Sequence, residues 1–179
     1  MILPTDTLYA LACRAGDAAA VERLRTAKGR DDGKPLPIVA ADLEQVAAFA
    51  ELTPEAERLA ASFWPGPLSL VLRARPGLSD AVTSATHSVA VRVPAQEFLR
   101  RLCGVAGPLV STSANRSGAA APRTCAEAVE GVGAHAELAV DAGPGRLEPS
   151  TLVDVTGPEA RLLRAGAVAW EAVLRVLRP

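Results

Sequence analysis

Lysine is almost missing from this chain of 179 residues: of nineteen basic side chains only Lys28 and Lys34 are lysines, and both fall in the stretch Lys28-Gly29-Arg30-Asp31-Asp32-Gly33-Lys34. A lysine is a compact point charge and a good phosphate partner, whereas arginine presents a planar fork, so the two are not equivalent where an anion is gripped. Histidine is as rare. His87 and His135 stand alone and give no footing for a histidine-based triad or metal cluster. Cys13, Cys103 and Cys125 are odd in number, far apart and without a C-x-x-C pair, which argues against a disulfide framework or a zinc site and for small buried thiols in a reducing compartment. Aromatics are only 3% of the chain, which weakens any reading as an RNA-binding module that uses aromatic stacking platforms. No apolar run is long enough to span a bilayer and Met1-Ile2-Leu3-Pro4 does not open a signal peptide, so a cytoplasmic protein without membrane attachment is expected.

What remains is ordinary globular composition, 49% hydrophobic and 22% charged, enough for a sizeable core. With a net charge of -1 the molecule has no global attraction for polyanions, and any phosphate binding must be local.

Asp17 caps a predicted helix whose apolar residues Ala20, Val21, Leu24 and Ala27 recur at helical spacing and bring Lys28 to its C-terminal end. Further helices are predicted from Asp42 to Phe49, from Thr53-Pro54-Glu55 to Phe63, over 96–103, over 124–132 and over 167–177. Strands are predicted at 68–72, 89–93, 108–112, 138–140, 151–155 and 161–163. Interleaved strands and helices imply an α/β sheet with helices on both faces, and the short late connections make it mixed. No repeat, low-complexity tract or linker divides the chain, so residues 1–179 read as one domain.

Five segments place small hydroxyl, amide or cationic groups at the edges of apolar elements: Pro4-Thr5-Asp6-Thr7, the Lys28 to Lys34 loop, Ser88 to Arg92, Ser111 to Gly118, and Pro149-Ser150-Thr151 with Arg164. A strand ending in Ser-x-Ser-x-Asn before Ser-Gly supplies the hydroxyls, carboxamide and backbone N–H groups of a phosphate cradle, though the same residues are common turn formers. Arg92, in an apolar strand, needs an anion to offset its desolvation if it points inward. Asp6 reads as a turn cap that orders the adjacent threonines. Phe63 and Trp64 read as core; Asp154 is left outside the site.

Taken in order, Pro4-Thr5-Asp6-Thr7-Leu8-Tyr9-Ala10-Leu11, Lys28-x-Arg30, Lys34-Pro35-Leu36, Trp64-Pro65-Gly66-Pro67, Val89-Ala90-Val91-Arg92-Val93-Pro94, Ser113-x-Asn115-x-Ser117-Gly118 and Pro149-Ser150-Thr151-Leu152-Val153-Asp154 resemble the YrdC-type threonylcarbamoyl-AMP synthases over nearly the whole chain. The resemblance implies a twisted open mixed sheet with a concave basic cleft. It implies a nucleotidyltransferase that makes L-threonylcarbamoyladenylate and pyrophosphate from L-threonine, bicarbonate or carbon dioxide, and ATP with Mg2+. The product would pass to a tRNA threonylcarbamoyl transferase complex, with tRNA itself bound weakly if at all. Carried onto this chain, it implies that Lys28, Arg30, Lys34, Ser88, Ser113, Asn115 and Arg164 face ATP, with Lys28, Arg30, Ser113 and Asn115 as the catalytic set. Thr7, Arg92, Ser111 and Ser150 would hold threonine.

Departures from the family pattern are Ala10 where glycine is usual, Ala121 where a hydroxyl is often offered to the nucleotide, and only three residues before the Pro-Thr-Asp-Thr segment. The N-terminus is thus expected to be shortened and the extra C-terminal domain of longer relatives to be missing. Two other readings stay open: a non-catalytic module for double-stranded RNA, and a paralogue adenylating another carbamoyl or acyl substrate.

Overall fold

Four helices begin directly after Asp17, Asp42, Thr53 and Thr124, where the sequence predicts helix starts. The computed structural model describes residues 1–29, 35–83, 87–145 and 148–178; Arg30 and Lys34 therefore lie outside the described residues. The helices are α1 (Ala18–Lys28), α2 (Leu43–Phe49), α3 (Pro54–Phe63), α4 (Asp80–Thr83), α5 (Glu97–Ala106), α6 (Cys125–Val132) and α7 (Trp170–Leu177). Asp17 accepts from the Ala20 amide at 2.9 Å, Asp42 from Gln45 at 2.8 Å, Thr53 from Ala56 at 3.2 Å and Thr124 from Glu127 at 3.2 Å, each satisfying one of the four amides a helix start leaves unpaired. Gly29, at φ 57, closes α1 in the left-handed region that glycine enters at no cost, and so fixes Lys28 at the helix end.

Among the described residues eight strands form one sheet: β1 (Ile2–Leu3), β2 (Ala10–Arg14), β3 (Ile38–Val39), β4 (Leu68–Arg73), β5 (Ser88–Arg92), β6 (Leu109–Ser113), β7 (Thr151–Asp154) and β8 (Arg161–Arg164), in the order β1-β2-β6-β3-β5-β4-β7-β8. The β3–β5 and β4–β7 pairs are parallel and the other five antiparallel, so the sheet is mixed as expected. Two expectations need correction. Residues 138–140 form only a bridge from Ala139 to Ile2, because β1 offers two residues to pair with. The last helix starts at Trp170 rather than 167, since the Val168 amide donates to Thr151 Oγ1 and the Ala167 amide to the Pro149 carbonyl.

Strand alternation splits the sheet into two faces. Leu11, Ile38, Leu70, Val89, Val91, Val110 and Val153 face a large core with residues of α1, α2, α3, α6 and α7. Each fully buried Leu or Val contributes roughly 1.5–3 kcal/mol, so this face carries most of the hydrophobic stabilisation. On the opposite face α5 packs Leu99 and Cys103 over Leu3, Ala12, Val39 and Leu109. Helices thus cover both faces unequally, and the rest of the second face is left to the site.

Candidate active site

The period of two that buries Leu68, Leu70 and Leu72 turns Ser69 and Val71 of β4 to the uncovered face. It likewise turns Ser88, Ala90 and Arg92 of β5, Ser111 and Ser113 of β6, and Leu152 and Asp154 of β7. Small side chains leave room there. With Thr7, Ser150, Leu163 and Arg164 these residues line a cavity of about 540 Å³, within the ~300–1,000 Å³ common for small-molecule sites.

Arg92 is the charged centre. Its Nη1 donates to Asp6 Oδ1 at 2.8 Å and its Nη2 to Thr7 Oγ1 at 3.3 Å. The second Asp6 oxygen accepts from the Ala95 amide at 3.0 Å. The arginine and aspartate side chains are only 8% and 11% exposed, so this pair is shielded from solvent. Burial pulls the Arg92 guanidinium below its ordinary pKa, with Asp6 opposing through its charge and hydrogen bond. The reading of Asp6 as a turn cap is corrected: Thr5 Oγ1 closes that turn, accepting from the Thr7 and Leu8 amides at 3.0 and 3.1 Å, while Asp6 anchors Arg92.

Arg164 reaches over from β8. Its Nε and Nη2 donate to the Ser150 carbonyl at 3.0 and 2.9 Å, and Nη2 also donates to Ser150 Oγ at 3.0 Å. Burial lowers its pKa, and the positive charge of Arg92 lowers it further. Two guanidinium groups that disfavour one another in a partly desolvated cavity make a site for an anion, whose charge relieves both. Asp154 also lines the cavity but is committed: burial pushes its carboxyl up, while bonds from Thr156 and Arg161 outweigh this and hold it below its ordinary value. Gly166 packs so closely on Pro149 and Ser150 that an added Cβ would collide with their backbone, which explains glycine there.

Lys28 stands one bond away from the cavity. Its Nζ donates to the carbonyls of Ser113 at 2.6 Å and Asn115 at 2.5 Å, with Ser113 Oγ at 3.4 Å and Asn115 Oδ1 at 3.3 Å. Asn115 lines a neighbouring pocket of about 390 Å³ that also includes Arg116 and Ala121. The structure therefore brings Thr7, Ser88, Arg92, Ser111, Ser113, Ser150 and Arg164 to one cavity and ties Lys28 and Asn115 to it through Ser113. Sequence reasoning missed Ser69, whose Oγ lies 2.8 Å from that of Ser150. Its signal was present: a lone polar residue in Leu-Ser-Leu-Val-Leu on the strand face opposite the leucines. Trp64 packs on the core as expected, its Nε1 donating to the Leu68 carbonyl at 2.7 Å.

A family model named for Sua5, YciO and YrdC, and described as telomere recombination, matches residues 1–166. A threonylcarbamoyl-AMP synthase of Pyrococcus abyssi is 38% identical over 177 residues, 97% of this chain and 52% of that protein. One from Alkalilimnicola ehrlichii is 38% identical over 148 residues, 82% of this chain and 77% of that protein. The solved structure of P. abyssi Sua5 complexed with L-threonine superimposes with a TM-score of 0.92 at 37% identity, covering 98% of this chain and 53% of that one. The chain thus spans about half the length of the P. abyssi protein.

Proposed function

Because the chain belongs to the Sua5, YciO and YrdC family, we propose that it is a threonylcarbamoyl-AMP synthase, joining L-threonine, bicarbonate or carbon dioxide, and ATP into threonylcarbamoyladenylate with release of pyrophosphate. One observation carries the reading at the level of atoms. Ser113 lines the cavity that holds Arg92 and Arg164 and is bonded to Lys28, so an amino-acid carboxylate on one side and a nucleotide on the other meet at a single strand end.

In this chemistry the threonine amine adds to carbon dioxide and loses a proton, giving a carbamate. A carbamate oxygen then attacks the α-phosphorus of ATP, and pyrophosphate leaves. No protein nucleophile takes part. Acceleration comes from holding the reactants in line and balancing charge on the phosphate oxygens. Thr7, Arg92, Ser111 and Ser150 take the threonine side, the fork of Arg92 presenting its uncommitted donors to the carboxylate. Lys28, Ser88, Ser113, Asn115 and Arg164 take the nucleotide side, and Arg30 and Lys34 are assigned there from the motif alone. Lys28 acts there by clamping the Ser113 to Asn115 loop. Among the described residues no group of three or more His, Cys, Asp or Glu side chains is placed to hold a metal. The donor set accordingly suits magnesium carried in by triphosphate oxygens and water, where it would neutralise phosphate charge. The adenylate would then serve a downstream tRNA threonylcarbamoyl transferase.

The test is pyrophosphate release by the purified chain with ATP and magnesium. Release that requires threonine and bicarbonate together is the expected result; release without threonine would overturn the assignment in favour of a paralogue acting on another acyl or carbamoyl group.

A further inference from the structure

We propose that Ser69, which no motif singled out, is a positioning residue for the amino-acid substrate, acting by fixing the hydroxyl of Ser150. The inference rests on the reading of this cavity as the threonine site. Ser69 is 7% exposed, sits on the cavity face of β4 and places its Oγ 2.8 Å from Ser150 Oγ. Ser150 Oγ also lies 3.0 Å from Arg164 Nη2, and because a guanidinium only donates, the serine oxygen must accept there.

Counting protons then fixes what the pair offers. Two hydroxyls carry two protons, and one is consumed in the bond between them whichever serine donates. Among the described residues no further acceptor is bonded to either hydroxyl, which leaves the second proton to be directed into the cavity. If Ser69 donates, the Ser150 proton faces the ligand; if Ser150 donates, the Ser69 proton does. In both arrangements the pair presents one O–H, at a place set by Arg164 and by the strand pairing of Leu68 with Thr151 and Ser69 with Leu152. An oxygen of the bound amino acid, which carries lone pairs and no competing positive charge, is the natural acceptor. Without the Ser69 hydroxyl, Ser150 loses the partner that orients it, or the cavity loses the donor outright.

The experiment compares Ser69→Val with Ser69→Thr in the full chain, two branched side chains that differ by the hydroxyl. The Michaelis constants for threonine and ATP are read from pyrophosphate release. Losing one neutral hydrogen bond should raise the threonine KM roughly three- to tenfold in Ser69→Val, with the ATP KM within about twofold of the parent. Ser69→Thr should rescue the threonine KM. In a Ser150→Ala background, Ser69→Ala should add less than about twofold, since its partner is already gone. Val and Thr variants with equal threonine KM, or an ATP KM that rises in parallel, would overturn the inference. Should Ser69→Val fail to fold, Ser69→Ala is read by the same criteria. A parent chain whose turnover ignores threonine refutes the functional reading beneath it, whereas a threonine-dependent parent with an indifferent Ser69 refutes only the role given to this serine.

Discussion

Nζ of Lys28 lies 3.3 Å from Oδ1 of Asn115, across 87 positions of sequence, and closer still to the carbonyls of Ser113 and Asn115. The ammonium of Lys28, a residue only 3% exposed, thereby joins the end of α1 to the loop that follows β6, and the Ser117 amide returns a bond to the Lys28 carbonyl at 2.9 Å. The lysine has a structural share in the site as well as a charge.

Lys28→Met should therefore fail in two separable measurements. Leaving these part-buried carbonyls without their charged donor costs about 1–3 kcal/mol, readable as a lower unfolding free energy in urea. Pyrophosphate release should fall at least about tenfold, since each ~1.4 kcal/mol lost from transition-state stabilisation is a decade of rate. A variant with parental stability and parental turnover would take this residue out of the site.

For Arg92→Lys the expectation is selective. The replacement keeps a positive charge but gives up the planar fork that satisfies Asp6 and Thr7 while facing the cavity. Threonine affinity, measured by calorimetry, should drop roughly tenfold or more, on the scale of one charge-assisted bond, while ATP affinity is retained. Undiminished threonine binding would show that the carboxylate sits elsewhere.

How much of this was readable beforehand depends on whether the cause was local. Helix caps act within three residues: those at Asp17 and Thr53 are legible in the sequence, and the starts read at Asp42 and Thr124 also prove to be side-chain caps. Strands β4, β5 and β7 carry enough apolar alternation to be seen. By contrast β1 and β3 have two residues each and β2 is Ala-Leu-Ala-Cys-Arg; their pairing is decided by partners far along the chain, such as Ala10 opposite Ser113. The site divides the same way. Thr7, Arg92, Ser111, Ser113, Ser150 and Arg164 came from motif resemblance and converge on one cavity, whereas the contacts Asp6 to Arg92 and Ser69 to Ser150, 86 and 81 residues apart, have no local signature.

The Asp6 to Arg92 pair supports a stability prediction. Removing one partner of a shielded ion pair strands the other charge in a poorly solvated place, typically a loss of about 3–5 kcal/mol. Asp6 in addition holds the Ala95 amide. Asp6→Ala should lower unfolding free energy by an amount in that range in denaturant titration, and the double variant Asp6→Ala with Arg92→Met should recover part of it. No recovery would mean that the aspartate stabilises through Ala95 alone.

The thiols give the last prediction, and its sign follows from burial. Cys103, fully buried on the inner face of α5, is pushed up from 9.0 to about 11 by desolvation, a backbone bond from Leu109 partly opposing; Cys13 is likewise pushed up to about 11 by burial, against the pull of the N-terminal ammonium. The fold favours the neutral thiol more than the unfolded chain does. That contribution is fully present below the ordinary thiol pKa of 9.0 and is lost as pH climbs through about 11. Other groups titrate in the same range, so a difference isolates it. Across pH 9 to 11 the unfolding free energy of the parent should decline more steeply than that of Cys103→Ala, although the variant begins lower because of its cavity. The thiolate is the reactive species, so Cys103 in the native protein should also resist Ellman's reagent at pH 8 and react once urea unfolds the chain. Parallel declines in the two proteins, or rapid native labelling of Cys103, would show that this thiol is not held neutral by the packing of α5 on Val39 and Leu109.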